Sequence, residues 1–233
     1  MSQPQILSFA LCLFDGAQLL DYAGPMDLFG FLDNTPRHDP KQWKQFKANP
    51  NVAFDFSYIG PTSEPVQPTS GPAVIPTATY DEILSSGKQF DVILVPGGRG
   101  VRPEVIPESL LRFIKVQTPL VKYLLSVCTG SWALAQAGVL EDRRATTNKS
   151  VFLEVEGRTS TAIDWVRKAR WVEDGNLWTA SGVTAGIDMA VAWLEHINGP
   201  HLTLEIRSDI EYSKAEQDSD EWAAFYGLVS KMQ

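Results

Sequence analysis

The chain of 233 residues holds two cysteines, and one of them, Cys128, lies where its sulfur is suited to chemistry. It sits in Ser126-Val127-Cys128-Thr129-Gly130, between the apolar run PLVKYLL and the helix-like SWALAQAG. A nucleophile carried on a tight strand-to-helix turn requires small residues two positions before and two after it. Here those positions hold Ser126 and Gly130. Such a nucleophile elbow lifts the sulfur out of the sheet edge into a crevice. It also places the sulfur at the positive end of a helix, which favours the thiolate, the reactive form. N–H groups of the turn, that of Thr129 among them, are placed to stabilise a developing negative charge. A lone cysteine is more commonly an inert core thiol; the small-x-Cys-x-small pattern between a strand and a helix favours the elbow. Cys12, inside an apolar strand, reads as core.

Three further groups invite a chemical reading. Gly97 and Gly98 end the run FDVILVPGG, where they permit positive φ and close approach of backbone to a ligand. A strand ending beside Cys128 would offer Gly98 as a second donor to an oxyanion, and a plain strand-ending turn is the equal alternative. Asp21 stands between Leu20 and Tyr22, just before a proline. It is either a stabiliser of a helix N-terminus or a carboxyl facing the crevice, where poor solvation would keep it protonated as a general acid. Asp188, in the apolar stretch TAGIDMAVAW, needs partners if buried and reads as a holder of the SGVTAG turn. The three histidines, His38, His196 and His201, are scattered. None follows Cys128 in a catalytic context, which disfavours a histidine-activated sulfur. No CxxC, HxH or HExxH spacing occurs, so no metal site is expected.

The elements that must position these residues are legible in the hydrophobic pattern. Strands are expected at residues 6–14, 54–60, 90–95 and 121–127, with short pieces at 73–76 and in RATT. Pro25 is expected to open a helix at its first position. Further helices are expected at 107–116, 129–137, 184–197 and 201–210, with another beginning at Thr79 or Asp81. ARWVEDGNLWTASG reads as a hairpin around Asp174-Gly175-Asn176. Residues 34–52 form a polar excursion with a helical turn, and 213–233 a partly ordered C-terminal extension. Buried strands alternating with helices imply an α/β protein: one domain with a largely parallel sheet covered on both faces.

Composition narrows the function classes. The chain is 44% hydrophobic with a net charge of -8, which argues against a nucleic-acid or anionic-membrane surface. The apolar run at 6–14 is too short to span a bilayer, and the first five residues carry no Lys or Arg, so a cytoplasmic protein with free thiols is expected. About twenty residues after 212 are too few for a helix-turn-helix module.

The segments LLDYAGPMDLF, FDVILVPGGRGV, SVCTGSWALAQAGVLEDRRATT and DGNLWTASGVTAGIDMA together resemble the ThiJ/PfpI superfamily, the class I glutamine amidotransferase-like group, and within it the isocyanide hydratases. The resemblance runs from about residue 6 to 212. It implies a flavodoxin-like three-layer sandwich, commonly a homodimer, that works without a cofactor on a small electrophile, an isocyanide or an aldehyde. It implies Cys128 as nucleophile, Asp21 as the nearby acid and Thr129 as the group orienting water or substrate. Gly97, Gly98, Leu20 and Gly130 would surround substrate and oxyanion, in a narrow and mostly apolar pocket. Asp188 and Asn148 would support. Asn148 follows ATT where family hydratases often have histidine, and a neutral amide cannot serve as a base. The reading that follows is hydration of an isocyanide to an N-substituted formamide. The rivals are a glyoxalase- or deglycase-like enzyme and a redox-sensing stress protein. The excursion at 34–52 is expected to reshape the pocket mouth.

Overall fold

A computed structural model describes residues 3–35 and 42–230. Among the described residues nine strands form in order: β1 Gln5–Cys12, β2 Val52–Gly60, β3 Ala78–Thr79, β4 Val92–Val95, β5 Tyr123–Val127, β6 Arg144–Ala145, β7 Asp164–Trp165, β8 Trp171–Asp174 and β9 Leu177–Ala180. Eight helices accompany them: α1 Leu19–Gly30, α2 Tyr80–Ser86, α3 Glu108–Gln117, α4 Gly130–Gln136, α5 Phe152–Gly157, α6 Ala185–Asn198, α7 Pro200–Asp209 and α8 Trp222–Phe225. Seven strands make one sheet in the order β3-β2-β1-β4-β5-β9-β8, parallel throughout except where β8 pairs with β9. β6 and β7 form a separate two-stranded ladder. The fold is α/β with a mostly parallel central sheet, as the hydrophobic runs require: β4 and β9 are buried at every residue, so both faces are covered.

The chain leaves β1 toward β2 but leaves β4 toward β5, in the opposite direction along the sheet. Right-handed crossovers then put α1 and α3 on opposite faces. Beneath one face Trp193 of α6 stacks on Phe54 and meets Phe9 and Phe29 edge-on. A second aromatic group joins Tyr80, Phe90 and Phe113 of the α2–α3 region. The reversal opens a crevice at the carboxyl ends of β1 and β4, the place where doubly wound sheets hold ligands.

Four expectations need correction. Helix α1 begins at Leu19, with Pro25 inside it. Burial of Tyr22, Leu28 and Phe29 holds the helix together despite the proline, whose absent N–H forfeits one backbone bond. The piece at 73–76 forms no named strand: Val74 only bridges to Val66, and the strand falls at Ala78–Thr79. There a Thr79–Glu82 capping box starts α2. Residues 213–230 pack into the body, with Ala223 fully buried, Leu228 nearly so, and Asp220 accepting from the Ala169 N–H. Finally, the described part of the excursion after residue 41 does not line the crevice. Its helical turn is present at Gln42–Gln45, but the chain there docks on α7 through Glu205 and leads into the start of β1 through Asn51. His38 and its neighbours lie outside the described residues.

Candidate active site

β5 delivers Cys128 at the crevice, and the turn that follows is strained. Cys128 adopts φ +58°, the left-handed region that a residue with a side chain rarely occupies. The surroundings hold it there. Its N–H donates to the Ala180 carbonyl (3.1 Å), extending the β5–β9 ladder by one step. Its carbonyl accepts from the hydroxyls of Ser131 and Thr147, both at 3.2 Å. Gly130 begins α4 pressed against β4, where an added Cβ would stand 2.1 Å from the Val95 oxygen. The small residue two positions after the cysteine is therefore a steric requirement, as the elbow pattern predicts. Gly97 plays the matching part on the other turn: a Cβ there would lie 2.5 Å from the Thr129 nitrogen. These two glycines let the turns after β4 and β5 interlock.

Thr129 ties those turns together. The Gly98 N–H donates to Thr129 Oγ1 (2.9 Å), and that hydroxyl lies 3.3 Å from the Gly98 carbonyl. The Gly98 N–H expected to greet an oxyanion is thus already engaged. The N–H of Thr129 itself points at the Cys128 sulfur.

Asp21 resolves its two readings by geometry. Although it lies in the first turn of α1, its carboxylate leaves that helix and Oδ2 accepts from the Gly97 N–H at 2.9 Å. The residue is fully buried, and among the described residues Oδ1 has no hydrogen-bond partner. Burial pushes the carboxyl up to about 7, a rise opposed by the Gly97 N–H and by contact with Cys128. The Cys128 thiol, 7% exposed, is raised to about 12, first by burial and then by the Asp21 charge. Opposing that rise are the Thr129 N–H, the Asn148 side chain and the Thr129 hydroxyl. The helix-end position therefore does not produce a free thiolate; desolvation outweighs it.

Asn148 makes its contact in a defined orientation. Its Oδ1 accepts from the Ser150 N–H (2.9 Å) and hydroxyl (2.6 Å), which leaves the NH₂ for the sulfur. The amide is a fixed donor where an imidazole would be a base. Among the described residues no histidine reaches this place. His196 packs against the rings of Tyr123 and Trp178.

The crevice in front of the sulfur has a volume of about 590 Å³. Cys128, Gly98, Thr129 and Asn148 line it, as expected. The rest of the wall comes from residues that the sequence did not mark, among them Gln18, Thr69, Arg99, Arg102, Trp132 and Ser150. In place of the expected narrow, mostly apolar pocket there is a wider cleft of mixed character, with Trp132 and Val151 beside Gln18, Thr69, Arg99 and Arg102. Thr69 arrives from the proline-rich loop, which folds back onto the β1–α1 turn. Its N–H donates to the Ala17 carbonyl and its hydroxyl to Gln18 Oε1. This loop shapes the mouth; no residue between 42 and 52 does. Leu20, expected at the substrate, is 42% exposed and outside the cleft: one residue along a helix turns the side chain by about 100°. Since Asp21 faces inward, Leu20 cannot.

Asp188 is fully buried but serves another task. It pairs with Arg170 (2.5 Å) and accepts from the Tyr212 hydroxyl and the Ala215 N–H, both at 2.8 Å. Arg170 also reaches Thr184 in the SGVTAG turn, the structural part expected of Asp188. Farther along, Asp220 accepts from the Ala169 N–H and pairs with buried Lys149 at 3.5 Å. Burial lowers the Lys149 ammonium to about 8 despite Asp220. A second cavity of about 260 Å³ lies behind Asn148 and Ser150, between this pair and Trp222. Among the described residues no group of three or more His, Cys, Asp or Glu gathers as a metal would need. No described helix is long and apolar enough to cross a membrane.

A doubly wound sheet with a strained cysteine and a buried carboxyl at its reversal point defines a class of α/β proteins rather than a single activity. The chain belongs to the DJ-1/PfpI family, whose model matches residues 8–196. It is 32% identical over 209 residues to an isonitrile hydratase of Pseudomonas putida, an alignment covering 90% of this chain and 80% of that protein. It is 31% identical over 106 residues to a deglycase of Pyrococcus abyssi, covering 46% of this chain and 59% of that one. The crystal structure of Drosophila melanogaster DJ-1beta superposes with a TM-score of 0.69 at 19% identity, over 91% of this chain and 100% of the other.

Proposed function

We propose that the protein hydrates isocyanides to N-substituted formamides through Cys128, without a cofactor. The observation that carries this reading is the fully buried Asp21 carboxyl, held by the Gly97 N–H and set against the Cys128 thiol. Similarity to an isonitrile hydratase over 90% of the chain supports it.

The thiol and the carboxyl work as one titrating pair. Above pH 7 the pair holds a single proton, on sulfur at rest. As the sulfur bonds to the terminal carbon of R–N≡C, its proton passes to Asp21 and from there to that same carbon. The product is the thioimidate R–N=CH–S–Cys. Water then adds to this carbon, the nitrogen takes a proton through Asp21, and the C–S bond breaks. R–NH–CHO leaves and the thiol regains its proton. The sum is one isocyanide plus one water. Asn148 and the Thr129 N–H stabilise negative charge on sulfur as it arrives and departs, and two modest additions replace one difficult one.

A second reading has one observation in its favour. The arginine-bearing cleft also suits a 2-oxoaldehyde, as in glyoxalase or deglycase chemistry. The redox-sensing alternative has less support, because a thiol raised to about 12 and 7% exposed is a poor target for oxidants. The test is incubation with an aryl isocyanide, following formamide. Wild-type turnover with loss in Cys128→Ala and Asp21→Asn is expected. Formamide no faster than the Cys128→Ala background refutes the hydratase reading, and lactate from methylglyoxal would then favour the second.

A further inference from the structure

We propose that the cleft selects substrates carrying a carboxylate at the end remote from the reacting carbon, and that Arg99 recognises it. The inference deepens the hydratase reading and rests on it for the reaction itself; the selectivity rests on the cleft alone.

The chain as a whole is acidic, with a net charge of -8. The cleft wall is not: it contains Arg99 and Arg102 and no aspartate or glutamate. A cation held in a concave surface bounded by protein attracts counter-charged ligands. The two arginines are not equivalent. Arg102 donates to Glu154 (3.0 Å) and lies 5.9 Å from the centre of the Trp132 ring. Glu154 is shared with Arg158, which pairs in turn with Glu104. Arg102 is therefore a neutralised part of the wall. The Arg99 side chain makes no hydrogen bond and no ion pair among the described residues. One oxygen of the nearby Asp15 carboxylate accepts from the Gln67 N–H at 2.8 Å.

The root of Arg99 is rigid although its tip is exposed. Gly98 before it is tied to Thr129. Gly100 after it is buried so tightly that a Cβ would lie 2.0 Å from the Asp15 oxygen, and the Val101 carbonyl accepts from Gln136 (2.8 Å). The guanidinium therefore swings from a fixed point in the cleft that Cys128 also lines. Its planar fork matches a carboxylate in two parallel hydrogen bonds. An uncharged isocyanide offers this group nothing.

The probe pair is isocyanoacetate and its methyl ester, which share the reacting carbon and differ in charge. Wild-type kcat/KM is expected to favour the acid by roughly ten- to a hundredfold. Arg99→Ala is expected to bring the acid-to-ester ratio near one, with Arg99→Lys in between. A wild-type ratio near one, or an Arg99→Ala ratio equal to that of wild type, overturns the proposal. Calorimetry with N-formylglycine and its methyl ester separates this from failure of the hydratase reading, because it needs no turnover. Tighter binding of the acid by wild type and not by Arg99→Ala supports the carboxylate site even if isocyanides are inert. Equal binding of acid and ester refutes it.

Discussion

Replacing Asp21 by asparagine is expected to make the protein more stable and nearly inactive, with a gain in stability that depends on pH. In the unfolded chain this carboxyl titrates near 3.8, and in the folded protein near 7. Between those values the folded state binds more protons than the unfolded state, so stability falls as pH rises through the window. Holding the carboxylate ionised without solvent costs about 4 kcal/mol once pH exceeds the folded value. Asparagine keeps an acceptor for the Gly97 N–H and puts an uncharged amide where Oδ1 has no partner. The difference between variant and wild type is then small at pH 4 and grows by about 1.4 kcal/mol per pH unit toward 7, where it levels off. Urea unfolding at pH 4.5, 5.5, 6.5 and 7.5 measures this directly. A difference that stays constant across the series would refute the assignment of the raised carboxyl to Asp21. In the same variant the rise of wild-type kcat/KM through about pH 7, where the pair loses its first proton, is expected to vanish along with most of the activity.

Three other substitutions test the framework around the pair. Gly130→Ala is expected to destabilise by about 3 kcal/mol or more, because overlap with the Val95 oxygen exceeds the benefit of alanine in a helix; thermal melting reads it. Asp220→Ala strands Lys149 in a buried site and is expected to cost about 3–5 kcal/mol at pH 7, with Lys149→Met recovering part of the loss in the double variant. Asn148→Ala removes one donor from the sulfur and is expected to lower kcat by on the order of tenfold or more, with KM little changed.

What the sequence disclosed is what repeats a local rule. β4 and β5 are unbroken apolar runs, and the elbow needs small residues at fixed positions around Cys128, so both are legible. The start of α1 is not, because a proline suggests a first turn and only the packing of Tyr22, Leu28 and Phe29 against the body shows that the helix begins earlier. Asp21 is legible as a candidate but not as a choice: its two readings differ in which N–H it meets, and Gly97 lies 76 residues away in the chain. Thr69 and Arg102 carry no local mark at all; the fold alone makes them walls of one cleft. Arg99 went unmarked as well, although its place directly after the paired glycines is a signal that could have found it.

The clamp between Lys149 and Asp220 also sets an order of events during synthesis. Lys149 emerges from the ribosome beside the asparagine that faces the sulfur, yet its counter-ion is encoded roughly 70 residues later, or about 4–14 s at ordinary elongation rates. During that interval the ammonium has Thr146 to bond but no carboxylate to offset its burial. The nascent chain therefore carries Cys128 and Asp21 before the ion pair behind Asn148 can form.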